Sequence, residues 1–399
     1  MTTVEPSYST GYLNSRWAVL AAGLFLVGTN SFVIAGVLPD IARTLRVTPS
    51  EVGYSITVYA VVVAIVAPAI SILVPSWSRT KLMVVGLALL AAGTVVAALA
   101  PDLAVFTVGR VIAALGGAAL VPTATAAAAA LAPAARRGQA IAAVGIGFTL
   151  STAIGSPLGT AIAAATNWRV PLLGVAGLAL VLMPVLALLV RNVPTAAPIS
   201  LGRRFAVLRD MRILMPLVAT LLVVAGFNLV YIFSAAVSGF SGALLAILLL
   251  VYGVCGVIGN TISGPLTDRF GSRAVGTVFL GVEGAALLAL VFVGGNFALL
   301  AVVFVVWGLS AFAAVVPVQH RLVAVDPQTA AVAISWFSTA LYLGISIAPL
   351  LGAAALHTGD DALLPLIGTI VTAVGLLVFQ LGFAIRTRRR APEAISLGS

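Results

Sequence analysis

The chain of 399 residues is 61% hydrophobic and only 8% charged, and its mean hydropathy is +1.19. A soluble domain carries about 25% charged residues, so this composition excludes a soluble globular protein and indicates an integral membrane protein. One cysteine and two histidines exclude an intrachain disulfide and a multi-cysteine metal site. The net charge of +10 does not indicate a nucleic-acid partner, because the basic residues lie in short loops between apolar runs.

Twelve apolar runs are long enough to cross a bilayer, for which a helix needs about 20 residues. The first run follows polar residues 1–16 directly and is interpreted as an uncleaved span rather than a signal peptide. A link that contains five arginines, residues 191–212, separates the first six runs from the last six. The predicted spans lie near 17–38, 52–74, 82–100, 104–131, 139–164, 170–190, 213–237, 243–263, 275–294, 297–319, 330–352 and 362–385.

The distribution of lysine and arginine predicts how the spans are oriented. If the N-terminus is cytoplasmic, 17 of the 21 basic residues lie in cytoplasmic segments, three lie in external loops and Arg110 lies within a span. This asymmetry predicts that both termini are cytoplasmic, and the basic run 386–390 is then an anchor to anionic lipid. The predicted segments are a cytoplasmic N-tail (1–16), an N-terminal six-helix half (17–190), a cytoplasmic basic linker (191–212), a C-terminal six-helix half (213–385) and a cytoplasmic C-tail (386–399).

Arg110 is a fixed charge inside the fourth apolar run. A guanidinium cannot lose its charge, and placing one within a bilayer costs roughly 2.5–3.5 kcal/mol or more unless it is paired or hydrated. The residue lies about seven positions, or roughly 10 Å, into its predicted span. It therefore faces an interior site or, as the alternative, snorkels to the outer interface.

The fifth run ends in the segment Gly155-Ser-Pro-Leu-Gly159. Gly155 and Gly159 allow close contact with a neighbouring helix, and Pro157 introduces a bend at the same place. A buried charge on one helix, followed by a helix that is built to flex against its neighbour, suggests a membrane protein that moves something.

One link between spans resembles a known family motif. The segment Gly264-Pro-Leu-Thr-Asp-Arg-Phe-Gly-Ser-Arg273 is similar to the loop motif Gly-x-Leu-x-Asp-Arg-x-Gly-Arg-Arg (or Lys) of the major facilitator superfamily. In this interpretation Gly264 permits close helix packing and Gly271 the turn. The resemblance implies a latch that breaks when the two halves rock; the alternative is a short basic loop that only follows the positive-inside rule. The charged residues, which can pair with one another or cap a helix end, are Asp268, Arg269 and Arg273.

Four segments resemble the twelve-span drug/proton antiporter branch of that superfamily, close to arabinose-efflux-like permeases. Segments 28–42, 108–117 and 250–260 are similar to its first, fourth and eighth spans, and 155–159 resembles its fifth-span antiporter motif. The resemblance implies an all-α membrane protein with twelve transmembrane helices in two pseudo-symmetric six-helix halves, the major facilitator fold. It also implies a monomer in a bacterial inner membrane, with no cofactor, no catalytic residues and no metal site.

Three positions depart from the family pattern. Relatives commonly carry an acid where Ser31 stands, and that acid is often tied to proton coupling or to cationic substrates. Pro75 occupies the place of the acid in the first-half loop, which leaves the predicted latch one-sided, and Ser156 stands where many members have a proline. With no acid predicted in the cavity, a neutral or weakly anionic solute is favoured over a large cation.

The candidates for proton coupling are Arg110, Glu283 and Asp40. Glu283 is the only acid deep in a predicted span, and such a carboxyl can bind and release a proton. It can equally be a neutral acid in a helix contact, because the ninth span is usually peripheral in this fold. Asp40 lies at the outer end of the first span, where solvation or helix-end chemistry is the stronger interpretation. For Arg110 the resemblance favours proton coupling or substrate contact.

Polar and aromatic residues on the spans that face the centre of this fold are candidates for a substrate cavity. Such groups can stack on a small amphiphilic solute and form hydrogen bonds with it. For each of them the alternative is a hydrogen bond between helices. The candidates are Asn30, Ser31, Tyr59, Asn228, Tyr231, Ser335, Trp336, Ser338 and Tyr342.

The sequence predicts a secondary transporter that exports a small hydrophobic or amphiphilic compound, a drug or a metabolite, by proton antiport with alternating access. Its partners are then the small-molecule substrate, protons and the lipid bilayer. The alternative is a dedicated sugar, nucleoside or amino-acid permease, coupled or uncoupled. An enzyme would need clustered His, Asp, Glu or Cys within the spans, and a channel would need a repeated filter or a charged ring; the sequence has neither pattern. A regulatory protein of transporter fold is separated from these by measuring flux.

Overall fold

A computed structural model describes residues 10–73, 77–133, 136–194, 201–326 and 329–385. Within these ranges the chain is helical and contains no strand. Two short turns of other helix types occur, a π-helical turn at Ser151–Gly155 and a 3-10 turn at Val207–Arg209. The α-helices are α1 Thr10–Leu45, α2 Pro49–Leu73, α3 Arg79–Ala98, α4 Leu103–Leu131, α5 Arg137–Leu150, α6 Ser156–Ala165, α7 Arg169–Leu189, α8 Leu201–Ala206, α9 Met211–Ile232, α10 Ser234–Ser238, α11 Gly242–Leu290, α12 Phe297–Ala313, α13 Val315–Val325, α14 Ala330–Leu356 and α15 Leu363–Ala384.

The all-helical prediction is confirmed, and so is the number of crossings. Eleven segments within the described ranges are long and apolar enough to cross a membrane. One of them, α11, has 49 residues and contains both the eighth and the ninth predicted spans. Gly271 inside it has φ 83°, a left-handed conformation that glycine adopts at little cost. Because the chain turns there, α11 counts as two crossings, and the total is twelve.

Proline explains where two crossings are interrupted. The predicted span 297–319 is divided, because α12 ends at Ala313 and α13 begins at Val315. Pro317 has no N–H to donate, and its ring would clash with the carbonyl four residues earlier, that of Ala313. The Ser263 hydroxyl donates to this freed oxygen at 2.7 Å. In the same way, Pro157 cannot donate to the carbonyl of Ala153, which lies in the π-helical turn between α5 and α6.

Polar side chains fix where several helices begin. The Asp102 carboxylate accepts from the Val105 N–H at 2.9 Å at the start of α4. Thr48 and Glu51 form a reciprocal capping box at the start of α2, with the Thr48 N–H donating to Glu51 at 2.7 Å. These caps satisfy N–H groups that have no partner within the helix. They also set the depth at which residues further along α2 and α4 lie.

Glycines bring α3 and α4 into backbone contact. A methyl group added to Gly109 would collide with the backbone of Ala97, and one added to Gly93 would collide with the backbone of Ala113. Close packing through small residues is a common way for helices to associate in membranes. Gly109 directly precedes Arg110, so this contact fixes the place at which α4 holds the arginine.

The two halves, α1–α7 and α9–α15, share one extensive buried cluster, while single residues of the opposite half join two others: Tyr342 joins a first-half cluster and Ala35 a second-half one. We call the side where α1 begins and α15 ends the terminal face. Near the opposite face, one buried apolar cluster includes Ile34 and Val37 of α1 together with Phe233 and Ala348 of the second half. Thr57 of α2 also donates to the Ser346 carbonyl of α14 at 2.8 Å. Towards the terminal face, a separate cluster consists, in the described chain, of second-half residues only. The halves are therefore joined near the opposite face.

The segment 264–273 differs from its prediction in two ways. It is helical up to Phe270, and only Gly271 makes the expected turn. Gly264 does not mediate close packing, because a methyl group added there would meet no atom within 4 Å. The prediction was wrong because Gly264 lies before the turn, on the side of α11 that faces away from the helices against which Ser263 and Thr267 are buried.

The charged residues of this segment also have other partners than expected. The Asp268 carboxylate lies 4.0 Å from His320 Nε2, and Ser272 is hydrogen-bonded to His320 Nδ1 at 2.7 Å. Arg273 donates from Nε to Gln380 at 2.9 Å, and Arg269 lies over the ring of Phe270. The expected pairing of Asp268 with an arginine of the motif is therefore replaced by a contact between α11 and α13.

Some predicted features lie outside the described residues. These are most of the N-tail (1–9), Pro75 in the first-half loop, part of the linker (195–200), and the C-tail with its basic run at 386–390.

The short helix α8, which begins at Leu201, bridges the two halves at the terminal face. Arg204 donates to the Pro68 carbonyl of α2 at 2.7 Å, and its own carbonyl accepts from Trp336 of α14 at 3.0 Å.

Candidate functional site

A cavity lies between the two halves, about midway along the helices. It is narrow in this conformation, with a volume of about 20 Å³, and six helices contribute to its wall: α1, α2, α4 and α5 of the first half, and α9 and α14 of the second. Five of the nine predicted cavity residues line it, together with Arg110. The lining residues are Ser31, Phe32, Ala35, Ile56, Tyr59, Arg110, Phe148, Asn228, Tyr231, Ile232, Tyr342 and Ile345.

Arg110 is buried, with 1% of its surface exposed, so it does not snorkel to an interface. Its Nη1 donates to both the backbone oxygen and the side-chain Oδ1 of Asn30, each at 2.8 Å. The Asn30 amide is itself fixed, because its Nδ2 donates to Thr94 Oγ1 at 2.8 Å. Asn30 therefore lies behind the arginine and orients it, rather than lining the cavity as predicted.

The other groups around Arg110 leave two of its nitrogen atoms without a hydrogen-bond acceptor among the described residues. Its guanidinium carbon lies 4.2 Å from the centre of the Tyr59 ring, a cation–π arrangement. Its Nε and Nη2 have no hydrogen-bond partner among the described residues, and the same holds for the hydroxyl of Tyr342. The lining contains no aspartate or glutamate. The cavity thus has a positive charge and several free hydrogen-bond donors.

A chain of hydrogen bonds links the halves at the cavity wall. The Tyr231 hydroxyl of α9 donates to Ser156 Oγ at 2.9 Å, and Ser156 in turn donates to the Phe32 carbonyl of α1 at 3.1 Å. The Phe32 and Tyr231 rings also meet edge to face, with centroids 5.9 Å apart. Ser156, which replaces the proline of many relatives, therefore connects α1, α6 and α9.

The expected close packing of the 155–159 segment is confirmed. A methyl group added to Gly155 would collide with Thr29, and one added to Gly159 would collide with Val33. Pro157 follows the π-helical turn directly, at the start of α6. The bend in this crossing therefore lies against the same stretch of α1 that carries Asn30.

Glu283 lies behind the cavity wall and faces protein, with 0% of its surface exposed. Neither of its carboxylate oxygens has a hydrogen-bond partner in the part of the chain that the structure describes. Tyr252 is close enough to Glu283 to interact with it electrostatically, and its ring lies 5.4 Å from that of Tyr231. Two tyrosines therefore separate this carboxyl group from the cavity.

Three predicted cavity residues of α14 lie elsewhere. The Trp336 Nε1 donates to the Arg204 carbonyl near the terminal face, and Ser338 is exposed, with its hydroxyl on the Ile334 carbonyl at 3.4 Å. Ser335 is also absent from the cavity lining. The predicted polar stripe runs along the helix, so its first residue lies about 10 Å from Tyr342. Only the end of the stripe reaches the cavity.

Asp40 does not face the cavity. Its carboxylate lies 3.1 Å from Arg43 Nη1, and both side chains are exposed. An exposed pair at i,i+3 contributes little to stability. Its position supports the helix-end interpretation and gives it no contact with Arg110 or Glu283.

Within the described ranges, no group of three or more metal-ligating side chains is found.

Sequence reasoning missed the aromatic part of the wall. Phe32 and Phe148 meet edge to face with ring centroids 5.5 Å apart, and both line the cavity. Phenylalanine in an apolar span is unremarkable by composition, so it carries no signal of its own. For Phe32 the available signal is its position beside Ser31. Tyr252, packed 4.4 Å from Trp307, could have been found from its place among the glycines of segment 250–260.

Comparison with known families gives the identity of the fold. A family model described as Major Facilitator Superfamily matches residues 20–349. The chain belongs to this superfamily. It is 29% identical to the uncharacterized MFS-type transporter YbcL of Bacillus subtilis (strain 168) over 379 residues, which are 93% of this chain and 97% of that protein. It is 28% identical to the inner membrane transport protein YdhP of Escherichia coli (strain K12) over 394 residues, 97% of this chain and 99% of that protein.

Solved structures of other superfamily members share the fold. The nucleoside transporter NupG superposes with a TM-score of 0.76 at 13% identity, over 93% of this chain and 100% of that one. A bacterial homologue of the human lysosomal transporter Spinster, in an inward-facing and unoccupied conformation, superposes with a TM-score of 0.71 at 15% identity, over 94% of this chain and 96% of that one. The chain is therefore a multi-pass membrane transporter with the major facilitator fold.

Proposed function

We propose that this transporter exports a small hydrophobic or amphiphilic compound by proton antiport. The observation that carries the proposal is the narrow cavity between the halves, lined by polar and aromatic side chains from both of them. Substrate sites of secondary transporters lie near the bilayer midplane at the interface of two repeats. We place the protein in a bacterial inner membrane as a monomer, with the terminal face and both termini in the cytoplasm, as the distribution of basic residues favours.

Transport would proceed by alternating access, in which the halves rock about the cavity. The shared cluster near the opposite face closes one entrance, while the separate cores near the terminal face leave the halves free to move apart there. Gly155 and Gly159, packed on α1, supply the flexible contact during this motion. The bridge made by α8, through Arg204, would form and break at the terminal face.

Glu283 is the group that binds the coupled proton in this proposal. An ionised carboxylate without a partner is costly inside a membrane protein, so a group in this position changes charge readily when its surroundings change. Arginine stays protonated in proteins, so Arg110 cannot carry the proton and acts as a fixed charge. The tyrosine pair between them, Tyr231 and Tyr252, couples occupation of the cavity to the surroundings of Glu283.

The direction of transport and the branch rest on the resemblance to drug/proton antiporters. The relatives named above are described as transporters without a substrate, so they leave the compound open. The second candidate is a permease for a sugar, nucleoside or amino acid. None of the contacts described in the cavity favours it. It predicts transport of a single metabolite, coupled to a proton gradient or not.

The test uses the purified full chain in liposomes with an imposed pH gradient. A panel of neutral antibiotics, amphiphilic carboxylates, sugars and nucleosides is offered, and accumulation is compared with and without a protonophore. We expect at least one amphiphilic compound to accumulate against its gradient, and accumulation to stop when the protonophore is added. Flux of a compound that is unaffected by the protonophore would contradict antiport and support a facilitator.

A further inference from the structure

The cavity contains a positive charge without a negative one. Arg110 is buried at its wall, and none of the twelve lining residues is acidic. The buried Glu283, which interacts with Tyr252, is not among the lining residues. Asn30, which accepts hydrogen bonds from Arg110, and the Tyr59 ring, which lies against it, stabilise the guanidinium, but both are neutral groups. An occupied cavity would therefore gain most from an occupant that supplies the missing negative charge.

The free atoms of Arg110 form a complete binding edge. Both protein hydrogen bonds use Nη1, whereas Nε and Nη2 have no partner within the described chain. The Nε–H and the neighbouring N–H of Nη2 are parallel, and together they match the two oxygens of a carboxylate. Asn30 thus binds only Nη1 of the guanidinium. The side formed by Nε and Nη2, which suits a carboxylate, has no partner among the described residues.

Two tyrosines extend this set of donors across the interface. Tyr59 on α2 and Tyr342 on α14 both line the cavity, and the Tyr342 hydroxyl lacks a partner among the residues described. The two tyrosines are close enough to interact electrostatically. An anion bound at Arg110 could accept hydrogen bonds from one hydroxyl of each half, which would join the halves around the bound compound.

We propose that the substrate is an amphiphilic organic anion whose carboxylate binds the free edge of Arg110. Its apolar body packs against the rings of Phe32 and Phe148 and against Ile56 and Ile345, which complete the wall. This inference rests on the proposed function, because it assumes that this cavity binds the transported compound and names the class of that compound. A cation of the same shape is disfavoured by repulsion from Arg110, and a neutral amide forms weaker bonds with it.

The test measures binding and needs no gradient. Detergent-purified full-length protein is titrated calorimetrically with three probes of one shape: 4-phenylbutyrate, 4-phenylbutyramide and 4-phenylbutylamine. We expect the carboxylate to bind at least about tenfold more tightly than the amide, with the amine weakest. Equal or tighter binding of the amide or the amine, or no binding of any probe at millimolar concentration, would overturn the proposal.

Variants of the arginine separate this role from a structural one. Arg110→Gln should weaken carboxylate binding about thirtyfold while amide binding changes less than about threefold. Arg110→Lys, which keeps the charge but loses the parallel pair of donors, should fall between. Arg43→Gln, at an exposed arginine, is the matched control and should bind as the wild type does.

Two outcomes distinguish this inference from the proposed function. Equal weakening of all three probes in Arg110→Gln would assign the arginine to folding and overturn the inference. A wild-type protein that selects the carboxylate but shows no protonophore-sensitive accumulation would retain the inference and lose the antiport mechanism.

Discussion

Arg110 and Glu283, two charged side chains that are buried within helices, have opposite surroundings. Arg110 lines the cavity, donates two hydrogen bonds to Asn30 and lies over the Tyr59 ring. Glu283 is as deeply buried, but neither of its oxygens is hydrogen-bonded within the described ranges. Arg110 therefore has hydrogen-bond acceptors for its charge, whereas Glu283 has no hydrogen-bond partner among the described residues.

The difference follows from the chemistry of the two groups. A guanidinium stays charged, so a fold that buries it must supply oxygen acceptors or an aromatic face. A carboxyl group can become neutral, and a neutral group costs far less to bury than a charged one. Arg110 is therefore suited to holding a ligand, and Glu283 to a step in which its charge changes. The following predictions test this division, from the largest effect to the smallest.

A lysine at Glu283 should be the most damaging change. Glu283→Lys places a cation in a site with no acceptor, and we expect it to lower the free energy of unfolding by at least about 3 kcal/mol. Glu283→Gln, of the same shape but uncharged, should change it by less than about 1 kcal/mol. Thermal unfolding in detergent measures both. A lysine variant as stable as the wild type would mean that this position reaches water or lipid headgroups.

Removing the acceptor behind Arg110 should weaken ligand binding. Asn30→Ala leaves the guanidinium with only the backbone oxygen of residue 30, and we expect carboxylate affinity to fall about tenfold, from the loss of one hydrogen bond to a charged group. Thr94→Val removes only the support of Asn30 and should cost about threefold. Calorimetric titration with 4-phenylbutyrate checks both. The account of Arg110 fails if the alanine variant binds the probe as tightly as the wild type.

The hydrogen bond between the halves should have a smaller effect. Tyr231→Phe removes the hydrogen bond to Ser156, at a cost of about 0.5–1.5 kcal/mol in unfolding free energy. Ser156→Ala removes the same bond and also the bond that Ser156 donates to the Phe32 carbonyl, so its cost should be larger. The double variant should lose less than the sum, because the two side chains share that bond. Tyr54→Phe, at a tyrosine that is 39% exposed, is the control. If the losses of unfolding free energy were additive, this hydrogen bond would not be formed in the detergent-solubilised protein.

A charged pair outside the membrane should have the smallest effect. Hydrogen bonds from Arg212 lower the pKa of Asp210 below its ordinary value. A lowered carboxyl pKa stabilises the fold above the ordinary value of about 3.9, and this contribution is lost as the pH falls through the lowered value. Asp210→Asn should cost at most about 1 kcal/mol at neutral pH and nothing near pH 2. Thermal unfolding against pH checks this, and a cost that persists in acid would contradict it.

Much of the fold could be predicted because it depends on composition and on a few special residues. Apolar runs of sufficient length required the twelve crossings, and Gly271 was identified as a turn from its place in the motif. The break after Ala313 was missed, although Pro317 carries its signal, because a hydropathy criterion does not register a proline inside an apolar run.

The site was predicted in part, for reasons that differ between residues. Arg110 and Glu283 stood out because a charge within an apolar run is costly, whatever surrounds it. Asn30 was assigned to the cavity because it is polar, and sequence alone could not show that Arg110 would use it as an acceptor. Ser335 and Ser338 share a helix stripe with Tyr342, but a stripe does not reveal how far along the helix the cavity extends.

The most direct test of the central claim compares Arg110→Gln with Glu283→Gln in liposomes. Two quantities are measured for a transported compound: exchange without a gradient, and accumulation driven by a pH gradient. We expect Glu283→Gln to exchange the compound but not to accumulate it, because binding is kept and proton coupling is lost. Arg110→Gln should do neither, and Glu51→Gln, at an exposed glutamate, should do both. Wild-type accumulation by Glu283→Gln, or identical behaviour of the two buried-site variants, would contradict the division of roles.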